Sequence, residues 1–104
     1  MSKNTLSAAE LSAFCSQAAL MYSAGMTLYD GLDALNETDN EQHDLIAELS
    51  RRTEETGSLY EAMKDDERWP KYMVGMVNIG ERTGNLEKVM QGLSVFYDRE
   101  GRLR

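Results

Sequence analysis

Few side chains in this sequence have the chemistry for catalysis, and their spacing argues against most of it. His43 is the only histidine, and it stands among Glu37, Asp39, Glu41 and Asp44 in the most polar stretch of the chain. One imidazole without a set of cysteines at ligand spacing does not make a zinc site. Cys15 is the only cysteine and lies among Leu11, Phe14 and Ala18 at helical spacing. There it reads as a packed thiol rather than a nucleophile. Cysteine and histidine fall on different elements, one apolar and one acidic, so no thiolate–imidazole pair is expected. The carboxylates between Asp39 and Asp44 lack the Asp-x-Asp-x-Asp-Gly order and closing glutamate of a calcium loop. They attract a divalent ion weakly at most. The glycines come singly, not in a phosphate-cradling loop. No catalytic, cofactor or metal residue is expected, and the chain reads as non-enzymatic. Function then has to come from a binding surface, as a partner-docking or self-associating module.

Composition narrows what that surface meets. A chain of 104 residues with 41% hydrophobic and 28% charged residues is one ordinary globular domain, able to bury a core without metal or disulfides. One cysteine suits a reducing compartment. The formal charge of −7 repels phosphate backbones, so nucleic acid is not an expected partner. No apolar run reaches 18 residues, so no bilayer-spanning segment is expected, and the amino-terminal residues do not read as a signal peptide. The last six residues turn basic, with Arg99, Arg102 and Arg104. Cations at a helix carboxyl end are favoured by the helix dipole; the same pattern also suits a segment just cytoplasmic to a membrane anchor.

The elements that carry these residues are marked by a phrase that occurs three times. It reads Gly25-Met26-Thr27-Leu28, Gly57-Ser58-Leu59 and Gly84-Asn85-Leu86. Glycine takes the left-handed conformation that stops a helix, and Thr27, Ser58 or Asn85 then offers a side-chain oxygen to the orphan amides of the next. Ser58 with Glu61, and Ser7 with Glu10, have capping-box spacing. Apolar stripes fill in the helices between. The first opens at Ser7, carries Leu11, Phe14, Cys15, Ala18, Met21 and Tyr22, and stops at Gly25. The second runs from Thr27 to about Asn36 with Leu28, Leu32 and Leu35. After a polar stretch that reads as a loop or a fraying helix start, the third ends near Thr56 with Ile46, Leu49 and Thr53 inward. The fourth, Ser58 to about Asp65, turns Leu59, Ala62 and Met63 to the core. A charged loop leads to Trp69-Pro70, where proline suits the first turn of the fifth helix, with Met73, Met76, Val77 and Gly80. Gly80 inside a helix implies close contact with a neighbouring helix. The sixth helix carries Leu86, Val89, Met90, Leu93, Phe96 and Tyr97. Five of the seven methionines fall on these stripes and read as flexible packing rather than as a peptide-binding groove. The expectation is an all-α domain: a six-helix antiparallel bundle built from three helical hairpins.

The joints and their flanks resemble a known family. Phe14-Cys15-Ser16-Gln17-Ala18, followed by Ala24-Gly25-Met26-Thr27-Leu28, is similar to the opening of the type II secretion F domain. That domain is the cytoplasmic part of the inner-membrane platform protein of type II secretion and type IV pilus machines. Gly57-Ser58-Leu59-Tyr60-Glu61-Ala62-Met63 matches the family's Gly-Ser-Leu-x-Glu-Ala-Leu. Trp69-Pro70 and Gly80-Glu81-Arg82-Thr83-Gly84-Asn85-Leu86 match its Phe-Pro and Gly-Glu-x-Ser/Thr-Gly-x-Leu. Trp69 for phenylalanine and Met63 for leucine are volume-tolerant departures. The resemblance covers about Leu11 to Arg104. Its motif residues here are Gly25, Leu28, Gly57, Leu59, Pro70, Gly80, Glu81, Thr83, Gly84 and Leu86, in a structural or an interaction role.

The resemblance implies a scaffold domain on the cytoplasmic side of the inner membrane. Its implied partners are the assembly ATPase and further copies of the platform protein, including a possible homodimer. It also implies that residues 1–104 are the first of two such domains in a membrane-anchored protein, ahead of its first transmembrane helix, with the terminal arginines obeying the positive-inside rule. Glu81, beside a joint, either bonds the amino-terminal amides of a neighbouring helix or forms, with Arg82, a solvated pair worth well under ~1 kcal/mol. A free cytosolic adaptor with the same fold is the alternative, and an apolar stretch of ~20 residues encoded beyond Arg104 would discriminate against it.

Overall fold

A computed structural model describes residues 5–27, 30–31 and 43–102. Among these the regular structure is helical throughout, in five helices: α1 (Ala8–Ser23), α2 (His43–Thr56), α3 (Leu59–Met63), α4 (Lys71–Thr83) and α5 (Leu86–Arg102). Most of the expected second helix, with Leu28, lies outside the described residues. At its start, the Asp30 amide donates to Thr27 Oγ1 at 3.2 Å, the bond expected of a capping threonine.

Local chemistry sets the boundaries. At the start of α1, the Glu10 amide donates to Ser7 Oγ (3.1 Å) and the Ser7 amide donates to Glu10 Oε1 (2.7 Å), a complete capping box. Its end is a Schellman turn: Met26 N–H reaches the Met21 carbonyl and Gly25 N–H reaches Tyr22. Gly25, Gly57 and Gly84 are the described residues with positive φ, at 81°, 74° and 69°. The expected stop signals are therefore the backbone's left-handed positions. Pro70 sits one residue earlier than expected, as the N-cap of α4 rather than inside its first turn. His43 begins α2, in keeping with the helix-start reading of the polar stretch, with Asp44 in the favourable first turn.

The core joins α1, α2, α3, α4 and α5 in one cluster. Leu49, Leu59, Met63, Met73, Val77 and Met90 are almost completely enclosed, and Cys15 has no exposed surface. Trp69, just before α4, is buried against Phe14 of α1 with ring centroids 5.2 Å apart. The stripes are narrower than their spacing suggested. Met21, Tyr22, Met76, Leu86 and Val89 are only half-buried. Phe96 is 38% exposed and leans on Tyr72 and Tyr97, so it is not a core residue. In α5 only Met90, Leu93 and Tyr97 are buried; Phe96 is one residue past the edge of that face.

Consecutive helices contact each other about two of the expected joints, α2 with α3 about Gly57 and α4 with α5 about Gly84. The most extensive helix contact, however, is between α1 and α5. They run antiparallel, Ala8 beside Gly101 and Ser12 beside Ser94. The two serines exchange bonds across the interface, Ser12 Oγ donating to the Ser94 carbonyl (2.8 Å) and Ser94 Oγ to that of Ser12 (3.1 Å).

Candidate functional site

Glu81 is in the last turn of α4, on the side that faces the start of α3. Its Oε1 accepts from Ser58 Oγ (2.7 Å) and from the Tyr60 amide (3.1 Å), and its Oε2 accepts from the Leu59 amide (2.6 Å). A helix start leaves amides without partners, and a carboxylate is the strongest acceptor for them. Of the two readings of Glu81, the bond to neighbouring amides is the one realised; no ion pair joins it to Arg82 among the described residues. The capping box expected at Ser58 is only half formed. Ser58 Oγ accepts from the Glu61 amide (3.1 Å), but the Glu61 carboxylate turns away to Lys64 Nζ (2.9 Å), and Glu81 from another helix supplies the anionic partner. Ser58 is thus both an acceptor for its own helix and a donor to Glu81.

At the next joint the expected cap by the Asn85 side chain is absent. The Asn85 amide donates to the Gly80 carbonyl (2.8 Å), closing the turn through the backbone, and its side chain stays in water. Gly80 is buried where α4 and α5 cross. A Cβ there would come within 3.0 Å of Leu86 Cδ1 and Val89 Cγ2 and 3.1 Å of Leu86 Cα. The close approach inferred from a glycine inside a helix is therefore real, and Leu86 is the residue that closes over it.

These two joints and the end of α1 border an open cleft of about 810 Å³. Gly57, Gly80, Glu81, Gly84 and Leu86 of the motif line it, with Leu59 buried beneath. The remaining motif residues lie elsewhere. Gly25 ends α1, Pro70 caps α4, and Thr83 bonds its own helix, Oγ1 to the Ile79 carbonyl at 2.8 Å. Leu28 is outside the described residues. Tyr22, Tyr60, Asn78 and Glu87 also line the cleft, and no sequence signal placed them there, because only the folded chain brings them beside Glu81. Tyr22 was legible as an α1 face residue and nothing more.

The electrostatics do not favour nucleophilic chemistry. Burial pushes the Cys15 thiol up to about 12, so it is protonated at neutral pH. Burial first, and the charge of Glu81 second, also raise the Tyr22 phenol, whose hydroxyl is enclosed without a hydrogen-bond partner among the described residues. Among the described residues no three histidine, cysteine, aspartate or glutamate side chains gather as metal ligands, and no helix is long and apolar enough to cross a membrane.

The sequence of this all-helical domain matches a known family. Residues 14–104 match the sequence model of the type II secretion system (T2SS), protein F. The chain belongs to that family. It is also 31% identical over 97 residues to the type IV pilus assembly protein PilC of Thermus thermophilus, an alignment covering 91% of this chain and 24% of PilC. The chain thus spans about a quarter of the length of that relative.

Proposed function

We propose that this domain is a non-enzymatic scaffold of the inner-membrane platform in a type II secretion or type IV pilus machine. On this reading it docks the assembly ATPase from the cytoplasmic side and transmits the motor's movement to pilin or pseudopilin assembly. The observation that carries the reading is the match over residues 14–104 to the protein F family, together with a relative whose name is a pilus assembly protein. The latch supports it physically. A part that transmits force has to move as a body, and Glu81 ties two hairpins together at the site where their joints meet.

The domain reading follows from the same family. Residues 1–104 form the first of two related domains in a longer, membrane-anchored protein, and a relative about four times the aligned length is consistent with that. The described helices fit a six-helix bundle of three hairpins in which Leu28 and its neighbours supply the sixth helix; helical Cα chemical shifts over residues 28–36 are the expected measurement. The motif residues hold the joints, and the ATPase or a second platform copy contacts the surface around them. Self-association is expected through local concentration at the membrane, so the isolated domain dissociates on dilution. Light scattering over a hundredfold dilution series tests this.

The direct test is co-purification of the full-length protein with the assembly ATPase encoded by the same genome. Retention of the ATPase by the wild type, and loss of pilus or secretion output on deletion of residues 1–104, are expected. No retention under conditions where the platform itself assembles would reject the docking role.

A further inference from the structure

The cleft at the joints has a charge pattern that selects its occupant. Glu81 and Glu87 line it with no cation in ion-pair contact among the described residues. Glu81 uses three acceptor positions on neutral donors, and an ionised carboxylate offers about four. The half-buried carboxylate thus has one lone-pair site to spare. At the opposite rim the chain already seats a cation of its own. Lys64 Nζ lies 2.9 Å from Glu61 and 5.8 Å from the centre of the Tyr60 ring, a carboxylate and an aromatic face that both line the cleft. Arg82 also lines the cleft and opposes this field, but it is exposed, where water and salt screen it.

We propose that this cleft binds a basic side chain, an arginine or a lysine, presented by a protein partner, with Glu81 and Glu87 as its counter-charges and Tyr60 as its aromatic wall. The volume of about 810 Å³ holds a guanidinium and its aliphatic stem. An anionic ligand, whether nucleotide, phospholipid headgroup or acidic peptide, would face the two carboxylates with only the exposed Arg82 of the lining to offset them. This deepens the docking role above and rests on it only for the identity of the partner.

The test titrates the isotopically labelled 104-residue chain with the blocked tripeptide acetyl-Gly-Arg-Gly-amide, and with its citrulline counterpart, which keeps the shape and loses the charge. Saturable amide shifts at Tyr60, Gly84 and Glu87 with the arginine peptide, absent with citrulline, are expected. Glu87→Gln should raise the dissociation constant about three- to five-fold. Glu81→Gln should do so at least as strongly if it folds, and Glu87→Gln keeps the test decisive if it does not. Equal shifts with citrulline, shifts centred on α2 instead of the cleft, or an unchanged constant in Glu87→Gln would overturn the proposal. The ATPase pull-down separates the two readings. Arginine-peptide binding without ATPase capture sustains the cleft and rejects the ATPase reading. ATPase capture undiminished in the Glu61→Gln/Glu87→Gln double variant keeps the platform role and rejects the cleft as its dock.

Discussion

Glu81 is the side chain on which the geometry turns, because it satisfies donors on a helix that is not its own. Replacing it by glutamine keeps the size and removes the charge that makes those bonds strong. Glu81→Gln should destabilise the domain by about 1–3 kcal/mol, lowering Tm by roughly 5 °C or more. Ser58→Ala should cost about 1 kcal/mol alone and less than that on the Glu81→Gln background, since the two share a bond. A glutamine variant with unchanged Tm would reject the latch. Cys15 gives a second residue-level expectation. A thiol with no exposed surface, and pushed up to about 12, should resist aromatic disulfide reagents in the native state and react in full only after urea unfolding. The sequence disclosed the cysteine's fate directly, through its neighbours at three- and four-residue spacing. For Glu81 it disclosed the right kind of partner, helix amides, but not which ones, because the donors lie 21 to 23 residues earlier in the chain.

Helices were legible where glycine, a capping residue and an apolar stripe agreed, and three left-handed glycines at the three expected joints are the clearest instance. Less legible was the width of each buried face. Phe96 satisfies the spacing of α5, yet the neighbours cover only part of that helix. Trp69 lies outside any helix, so periodicity gave no reason to bury it. Glycines inside helices separate the two cases experimentally. Gly80→Ala drives a methyl into Leu86 and Val89 and should destabilise by about 1–3 kcal/mol. Gly92→Ala, in α5 with nothing within 4 Å of the added Cβ, should instead stabilise by about 0.5–1 kcal/mol; urea unfolding of both variants is the check. The turn between α3 and α4 responds to acid. Asp66 accepts from the Arg68 guanidinium (2.7 and 2.9 Å), which holds its carboxyl below the ordinary value of 3.8. A carboxyl depressed on folding stabilises the native state above its unfolded pKa, and that contribution fades as pH falls through the lower, folded value. The stability gap between wild type and Asp66→Asn, about 1 kcal/mol at most for a partly exposed pair, should be constant from neutrality to about pH 5 and shrink below about pH 4.

For the molecule as a whole, the pairing of helices was the least legible feature. A stripe shows which face of a helix seeks cover and says nothing of what supplies it. The sequence pointed to hairpins of consecutive helices, and two consecutive pairs are in contact, but the largest contact links α1 to α5 through serines 82 residues apart. Small polar side chains in the middle of an amphipathic helix do not announce such a partner. Deleting residues 85–104 should therefore do more than shorten the bundle. It strips α1 of its main packing surface and should abolish cooperative thermal unfolding, as seen by circular dichroism. On the ribosome, the opening helix emerges first and finds its principal mate only when nearly all of the domain has been translated. Until then much of its apolar side lacks its main cover. A stalled nascent chain ending near Gly84 should therefore be a preferred client of chaperones that hold unfolded polypeptide.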